Sequence, residues 1–415
     1  MPTDGVAETV GRTRLDNGIL VLSEHIPGVR SAAVGVWVRR GAAHERGQDF
    51  GASHLLEHMV FKGTRRRTPA EIARALEGLG GSLDAYTSRE HTSYQARVLD
   101  EHVPEALDVL ADLVLDPLLR DDDLELERQV VLEEIAQVDD TPDDLVFELH
   151  GDMLWRGHPY GRSILGSKES VGGMSAGTLR DIHERDYVGA NLVIAAAGNI
   201  AHDDFVRRVD GLFGGVAPGT RTNPVGRPAG SEAGFQAITR ESAQTHVVFG
   251  AGVPGRGHPD RYPVLLVSSA LGGGMSSRLF QRVREELALC YSIYTYQSFY
   301  SSAGVIGVYV GTRPATASQA VEAVQAELAR LVEGGLTEEE LERTKNQVKG
   351  QAMLSLESTG ARLHRLASFE LYDEPFRGID ALLEEIDGVT TEDARRVASQ
   401  YYDPVRQFVL SLGPA

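Results

Sequence analysis

The 415-residue sequence has a single cysteine, Cys290. One thiol cannot form an internal disulfide or a thiolate metal cluster, so disulfide scaffolds, zinc ribbons and iron–sulfur sites are excluded for a single chain. We expect Cys290 to be a small buried apolar side chain. No apolar run approaches the ~18 residues that span a bilayer, and the N-terminal MPTDGVAETVG has no signal or transit pattern. The expectation is therefore a cytoplasmic protein without a membrane partner.

Excess positive charge is also missing, because the formal net charge is −19. Non-specific nucleic-acid binding needs lysine and arginine to displace phosphate counterions, so we expect no nucleic-acid partner. Residues 1–215 hold 37 of the 60 acidic side chains. This acidity is typical of a solvated surface that keeps the protein soluble, and it is also compatible with a cleft that attracts basic ligands.

The order of predicted elements suggests one domain repeated twice. Asp16-Asn17-Gly18 between two apolar segments predicts a β-hairpin. Each half then has early strands, a helix pair, a strand pair and further helices, although a coincidence of α+β segments gives the same pattern. The Gly- and Pro-rich stretch 214–234 predicts a linker between domains at 1–213 and 235–415. The predicted fold class is α+β, with a mixed sheet and packed helices in each domain.

The patterns of apolar and polar residues predict helices that include the ranges 50–62, 122–138, 143–155, 276–287 and 337–372.

His54-Leu55-Leu56-Glu57-His58 lies on the first of these helices. Histidines four residues apart share one helix face, so both imidazoles can reach one cation. The Glu57 carboxylate can lie next to the same site without being a ligand. This order of residues is a zinc-peptidase signature, and the alternative is a helix with two solvated histidines beside an acid.

A catalytic zinc ion has three protein ligands and an open position for water. The segment Leu124–Ala136 offers four glutamates, Glu125, Glu127, Glu133 and Glu134. Glu127 and Glu134 are seven residues apart and share a helix face, whereas Glu133 is turned by about 100° from Glu134. An exposed acidic helix face is the other interpretation of this segment.

With these motifs the sequence resembles the pitrilysin/insulinase superfamily of zinc metallopeptidases, in its bacterial branch similar to the mitochondrial processing peptidase catalytic subunit. The resemblance covers nearly the whole chain. It is carried by His54-x-x-Glu57-His58, by Glu134 within ERQVVLEEI, and by LDNGILVL, GASHLLEHMVFKGT, GGSLDAYTSREHTSY, HPYGRSILG, LGGGMSSRLFQRVREELALCYSIY and SLESTGARLHRLA.

The resemblance implies one zinc ion per chain, held by His54, His58 and Glu134. It implies that Glu57 is the general base, which takes a proton from the zinc-bound water and passes it to the leaving amine. Glu127 matches a carboxylate that supports the site. His91, in the nearby REHT segment, is expected to form structural hydrogen bonds rather than to bind the metal.

The second half has no zinc triplet: the place of the metal helix reads PDRYPVLLVSSAL. The resemblance implies a clamshell of the two domains, in which Arg284 and Tyr291 of the second bind substrate backbone and stabilise the oxyanion. A helix salt bridge for Arg284 and a core position for Tyr291 are the alternatives. The short Gly272–Gly274 run is a helix-ending loop.

Asp84-Ala85 matches the family's Asn-Ala on a strand edge where substrate pairs as an added strand. Asp replaces Asn here, and a carboxylate cannot donate the hydrogen bonds of an amide. Asp144 and Glu148, four residues apart on a predicted helix, match acids that hold a substrate arginine in processing peptidases. Solvated surface acids are the alternative for this pair.

The expected function is a zinc endopeptidase that hydrolyses extended or unfolded peptides or presequence-like segments. A homodimer, or a heterodimer with a non-catalytic homologue, is the expected assembly. A non-catalytic scaffold subunit or a peptide-binding module of the same fold is the alternative, although scaffold homologues usually lose part of the zinc motif.

Overall fold

The structure, a computed structural model, describes residues 9–414. The segment MPTDGVAE, on which the expectation about targeting partly rests, lies outside the described residues. No helix within 9–414 has the length and apolar character needed to cross a membrane.

The described chain forms two compact units of non-contiguous sequence. The first unit comprises residues up to 135, 163–224 and 355–376, and the second comprises 136–162, 225–354 and 377 onward. The main division, between Pro224 and Val225, falls inside the predicted linker at 214–234. The predicted contiguous domains differ from these units in two segments, 136–162 and 355–376, each of which packs with the other half of the sequence.

The first unit is built on a six-stranded mixed sheet of order β1-β2-β6-β3-β5-β4. Its strands are β1 Thr9–Arg14, β2 Leu20–His25, β3 Ser31–Val38, β4 Ser82–Thr87, β5 Thr92–Leu99 and β6 Leu192–Gly198. The predicted hairpin is confirmed: Arg14 pairs with Leu20 across the turn. The Asn17 side chain donates to the Phe213 carbonyl oxygen at 2.8 Å, which anchors the turn to the body of the unit.

Both faces of this sheet are covered. The helices of the first unit are α1 Ala52–Val60, α2 Pro69–Glu77, α3 Val103–Leu115, α4 Asp121–Asp140 (whose end crosses into the second unit), α6 Lys168–Gly173, α7 Ala176–Asp186, α8 His202–Phe213 and α12 Thr359–Leu371. The main core lies on one face, among α1, α3, α7 and α8. On the other face, Leu363 and Leu366 of α12 pack against Leu20, Leu22 and Trp37.

The second unit has a five-stranded mixed sheet of order β7-β11-β8-β10-β9. Its elements are β7 Gly234–Thr239, β8 Thr245–Pro254, β9 Cys290–Phe299, β10 Ala303–Thr312, β11 Phe408–Gly413, α5 Pro142–Leu154, α9 Arg261–Gly272, α10 Ala317–Gly334, α11 Glu338–Ser355, α13 Ile379–Asp387 and α14 Thr391–Tyr401. One sheet face packs on α9, α10 and α14. The other face receives α5, where Phe147 stacks on Tyr309.

The two sheets repeat one topology, which confirms the predicted duplication. Strands β2-β6-β3-β5-β4 of the first sheet correspond in order and direction to β7-β11-β8-β10-β9 of the second. Within this repeat α5 and α12 occupy equivalent chain positions, each after a long helix. The exchange of segments is therefore reciprocal: each half of the sequence supplies one helix that covers a sheet face in the unit built mainly from the other half.

The predicted helices differ from the observed ones mainly in the second half. The range 337–372 contains two helices, α11 and α12, because the chain leaves the helical conformation at 356–358 and α12 turns to the first sheet. The range 276–287 contains a π-helix, Phe280–Glu286, in which Leu287 N–H reaches the Arg282 carbonyl oxygen, five residues back. Three helices, α6, α13 and α14, were not anticipated by the sequence patterns.

Candidate metal centre

Helix α1 is fixed at its N-terminus by a buried carboxylate. Glu45 accepts the backbone N–H groups of Gly51 and Ser53, each at 2.7 Å. These donors have no partner within the helix, so the carboxylate serves as a distant N-cap. Burial raises the pKa of Glu45 to about 7 even though the two N–H groups favour its ionised form. Gly51 has φ 88°, and a Cβ there would lie 2.5 Å from the Leu165 carbonyl oxygen, so only glycine fits.

Helix α1 presents three polar residues on one side. His54, Glu57 and His58 are half-buried, whereas the other six residues of the helix are buried, Leu55, Leu56 and Met59 among them. The two imidazole rings lie edge to face with centroids 4.6 Å apart, as expected for positions i and i+4. Burial, reinforced by the neighbouring His58, lowers the pKa of His54 to about 4, so its imidazole is neutral at pH 7 and keeps a lone pair.

The third potential ligand comes from α4. His54 Nε2 lies 3.7 Å from Glu134 Oε2, and His58 Nε2 lies 3.7 Å from Glu134 Oε1. His54, His58 and Glu134 form the group of possible metal ligands within 9–414, with their ligand atoms inside 4.8 Å of one another. Glu133 is exposed, and Glu125 pairs with Arg128 at 2.8 Å.

These distances fit a zinc ion. Ligand atoms bound at 2.0–2.1 Å in a tetrahedron lie roughly 3.4 Å apart, so the 3.7 Å separations close with a small adjustment. Glu134 Oε2 is buried and has no hydrogen-bond partner among residues 9–414. A buried carboxylate oxygen without a partner is costly unless a cation binds it. Two imidazoles and a carboxylate are the donor set of catalytic zinc sites that keep one position open.

Glu127 connects His58 to a lysine. Its side chain is 8% exposed; Oε2 lies 3.2 Å from His58 Nδ1, and Oε1 lies 2.5 Å from Lys62 Nζ. A carboxylate only accepts, so His58 donates its Nδ1–H, and Nε2 is left free for a metal ion. Glu127 thus lies beside His58, and its role as a supporting carboxylate remains a prediction.

Glu57 is held by a threonine of the neighbouring edge strand. The hydroxyl of Thr87, the last residue of β4, donates to Glu57 Oε2 at 2.6 Å. Burial raises the pKa of Glu57, and the Thr87 hydrogen bond and the nearby His58 act in the opposite direction. A half-buried carboxylate with a raised pKa, next to a potential metal ligand in sequence, is suited to accept a proton from water.

Arg284 and Tyr291 come together within the second unit. The guanidinium carbon of Arg284 lies 4.5 Å from the centroid of Phe280 and 5.3 Å from that of Tyr291. Tyr291 is 76% exposed, so it is not the core residue considered as an alternative. Arg284 also approaches Glu285 at 3.7 Å. The substrate-binding role of both residues remains a prediction.

Asp84 and Ala85 lie on β4, which is at the edge of the first sheet and pairs with β5 alone among the described strands. Ala85 packs against the main core, and Asp84 is exposed on the opposite face. The other side of β4 leaves backbone groups that an extended peptide could pair with.

Asp144 and Glu148 lie on α5, and thus in the second unit rather than the predicted first domain. Asp144 is exposed. Glu148 is half-buried, and its Oε2 is buried with no hydrogen-bond partner among residues 9–414. A buried carboxylate oxygen in this state is a potential acceptor for a cationic group.

Sequence reasoning missed three residues that support the candidate metal centre, Glu45, Lys62 and Thr87. Thr87 follows Ala85 by two residues and therefore shares its strand face. Lys62 follows His58 by four residues in the helix predicted over 50–62, so these two spacings could have indicated both residues. Glu45 has no local signal, because a 3₁₀ turn separates it from α1. His91 lies outside the metal cluster, and its Nε2 is 3.2 Å from the Tyr86 hydroxyl, in agreement with the structural role expected for it.

The helix α1 has the residue order His-x-x-Glu-His of the inverted zinc-peptidase motif, and Glu134 of a second helix lies beside its two histidines. The chain belongs to the insulinase family, peptidase family M16. Residues 20–168 match "Insulinase (Peptidase family M16)", and residues 173–348 match "Peptidase M16 inactive domain".

Relatives over the full length are similar to this chain. A protein of Mycobacterium leprae named "uncharacterized zinc protease" is 40% identical over 98% of this chain and 92% of its own. One of Streptomyces coelicolor with the same kind of name is 38% identical over 94% and 86%. A crystal structure from Pseudomonas fluorescens, titled a peptidase M16 inactive domain, superposes with a TM-score of 0.92 over 98% of both chains at 22% identity. At that identity the superposition shows the fold.

Proposed function

We propose that the protein is a zinc-dependent endopeptidase that hydrolyses extended or unfolded peptides, including presequence-like segments. The observation that carries the proposal is the convergence of His54, His58 and Glu134 around one point, next to a carboxylate, Glu57, that is not itself a ligand. The names of the relatives, zinc proteases, support it.

In this proposal His54, His58 and Glu134 hold the ion, which supplies Lewis acidity to the water and the scissile carbonyl. Glu57 removes a proton from the attacking water and later delivers it to the leaving amine, so hydrolysis yields a carboxylate and an amine. Thr87 keeps one oxygen of Glu57 occupied and leaves the other for this proton. The substrate pairs with the free edge of β4 at Asp84 and Ala85.

Peptide hydrolysis by the wild type and the Glu57→Gln variant tests the proposal. Mass spectrometry of a peptide mixture should reveal new termini with the zinc-loaded wild type. Glu57→Gln should bind zinc equally and lose roughly 10³-fold in rate, as expected for removal of a general base. A zinc-loaded wild type that cleaves nothing would leave the scaffold or the peptide-binding module as the function. Equal rates for the two proteins would exclude Glu57 as the base.

A preference for arginine-containing substrates is a finer part of the proposal. The exposed Asp144 and the unpaired Glu148 Oε2 on α5 support it, since two carboxylates one helical turn apart can accept a guanidinium. Asp144→Asn with Glu148→Gln should reduce cleavage of an Arg-containing peptide relative to its Arg-free analogue by roughly 10-fold. An unchanged ratio of the two rates would remove this part of the proposal.

The proposal also includes a homodimer in the cytoplasm. Light scattering of the protein expressed alone should give twice the 45.0 kDa chain mass. A monomer that gains activity only with a non-catalytic homologue would indicate the heterodimer instead.

A further inference from the structure

Lys62 follows helix α1 and connects it to α4, the helix that carries the third potential ligand. It is one of only four lysines in the chain. Its side chain reaches Glu127 Oε1 on α4 at 2.5 Å. Lys62 lies two residues beyond the end of α1, in the turn that follows the helix.

The backbone around Lys62 is tied to the same partner segment. Arg120, directly before α4, donates from Nη2 to the Lys62 carbonyl oxygen at 3.2 Å. Leu118 N–H reaches the Gly63 carbonyl oxygen at 3.0 Å, and Thr64 forms a β-bridge with Pro117. Backbone contacts therefore attach the segment after α1 to the segment before α4. The Lys62 side chain adds a contact about two turns further along α4.

The Lys62 contact determines which oxygen of Glu127 faces the metal centre. With Oε1 at Lys62, Oε2 is directed to His58 Nδ1 at 3.2 Å, and His58 Nε2 then lies 3.7 Å from Glu134 Oε1. Glu127 is nearly buried, whereas Lys62 is 36% exposed. An uncharged side chain at position 62 would leave Oε1 without its cationic partner and the carboxylate free to rotate away from His58.

We propose that Lys62 is a positioning residue of the metal centre: it orients Glu127, and through it His58, and so raises the affinity for zinc. This inference rests on the proposed zinc site. Residues that orient metal-bound histidines change metal affinity by about 10–100-fold when they are removed. If Lys62 formed only an ordinary surface ion pair, its removal would change stability little and would leave the zinc affinity unchanged.

Zinc affinity of Lys62→Met, measured by competition with a chromophoric chelator, tests the inference without any peptide. The expected result is a zinc Kd raised by about 10–100-fold, with Lys62→Arg between this variant and the wild type because it keeps the charge. Lys349→Met is the matched control, since Lys349 pairs with Asp387 at 2.5 Å in the second unit. Its zinc Kd should equal that of the wild type.

Each other outcome is decisive. Equal Kd values for Lys62→Met and the wild type would overturn the inference, as would an equal shift in Lys349→Met, which would indicate a general effect of lost charge. A wild type that binds no zinc would instead overturn the proposed function. Thermal unfolding of the metal-free proteins identifies a misfolded variant, and Lys62→Gln then replaces Lys62→Met in the same comparison.

Discussion

The two units share the five-strand order of the repeat but differ in the helix that follows its second strand along the chain, which is β3 in the first unit and β8 in the second. In the first unit this helix is α1, where three titratable residues occupy the half-buried side. In the second unit it is α9, RYPVLLVSSALG, whose polar residues beyond the first turn are Ser268 and Ser269. Ser268 donates to Gln297, and no residue in the turns beyond Tyr262 of this helix titrates. The same fold therefore accepts a helix with titratable side chains, as in α1, or one without them, as in α9. The potential for metal binding depends on a few side chains and not on the fold.

The supporting contacts differ in the same way. In the second unit, buried polar groups connect structural elements: Tyr401 and Arg396 of α14 both reach Asp260 at the start of α9. In the first unit, Glu45 and Thr87 contact α1 or a side chain that it carries, and Lys62 contacts Glu127 of α4, which in turn contacts His58 of α1. The polar side chains around α9 thus connect structural elements, whereas those around α1 orient the residues of a potential metal site.

The largest expected effect comes from a histidine exchange in each unit. His58→Ala removes one of three potential ligands and should abolish stoichiometric zinc and reduce peptidase activity to background. His246→Ala, in the second unit, removes a buried imidazole that contacts the Tyr309 hydroxyl at 2.8 Å. Its zinc content, measured by elemental mass spectrometry, should remain one per chain. Zinc loss in His246→Ala, or zinc retention in His58→Ala, would break the distinction between the units.

A smaller effect is expected on the pH dependence of stability, through the buried His150 of the second unit. His150 of α5 donates from Nε2 to the Phe408 carbonyl oxygen at 3.1 Å, and burial lowers its pKa to about 4. Since the unfolded chain protonates this imidazole below about pH 6.5 and the folded chain does not, stability is lost as pH falls from about 6.5 to 4. The lowered pKa of His150 corresponds to a loss of about 3 kcal/mol in the free energy of unfolding over that pH interval.

His150→Gln keeps a donor for Phe408 and removes the titration. Thermal midpoints at pH 7, 5.5 and 4.5 should fall less steeply for this variant than for the wild type, whatever its stability at pH 7. Parallel curves for the two proteins would show that His150 does not contribute to the acid sensitivity of the second unit.

The fold and the group of potential metal ligands could be predicted from the sequence, because both leave periodic signals. His54 and His58 follow the helix period, and Glu134 shares a face with Glu127 seven residues earlier. The exchange of α5 and α12 could not be predicted, because an amphipathic helix does not indicate which of two similar sheets it covers. Likewise Glu45 accepts N–H groups six and eight residues away, through a turn that no periodicity describes.

The smallest expected effect concerns threonines that tie each helix to its edge strand. Thr295 of β9 donates its hydroxyl to the Ser268 carbonyl oxygen on α9 at 2.7 Å. The hydroxyl of Thr87 lies 3.3 Å from a carbonyl oxygen of α1, that of Ser53, but only 2.6 Å from Glu57 Oε2. A hydroxyl has one proton, so Thr87 gives it to the carboxylate and not to the helix backbone.

Thr87→Val should therefore lower kcat by about 10-fold with little change in KM, because a hydrogen bond to a charged group contributes about 1.5–3 kcal/mol and the carboxylate loses its orientation. Thr295→Val should leave kcat unchanged and lower the free energy of unfolding by about 1 kcal/mol. Steady-state kinetics with one peptide and denaturant unfolding measure the two quantities. If both variants lose only stability, the Thr87 hydroxyl is a structural tie like that of Thr295, and Glu57 is oriented by its own helix alone.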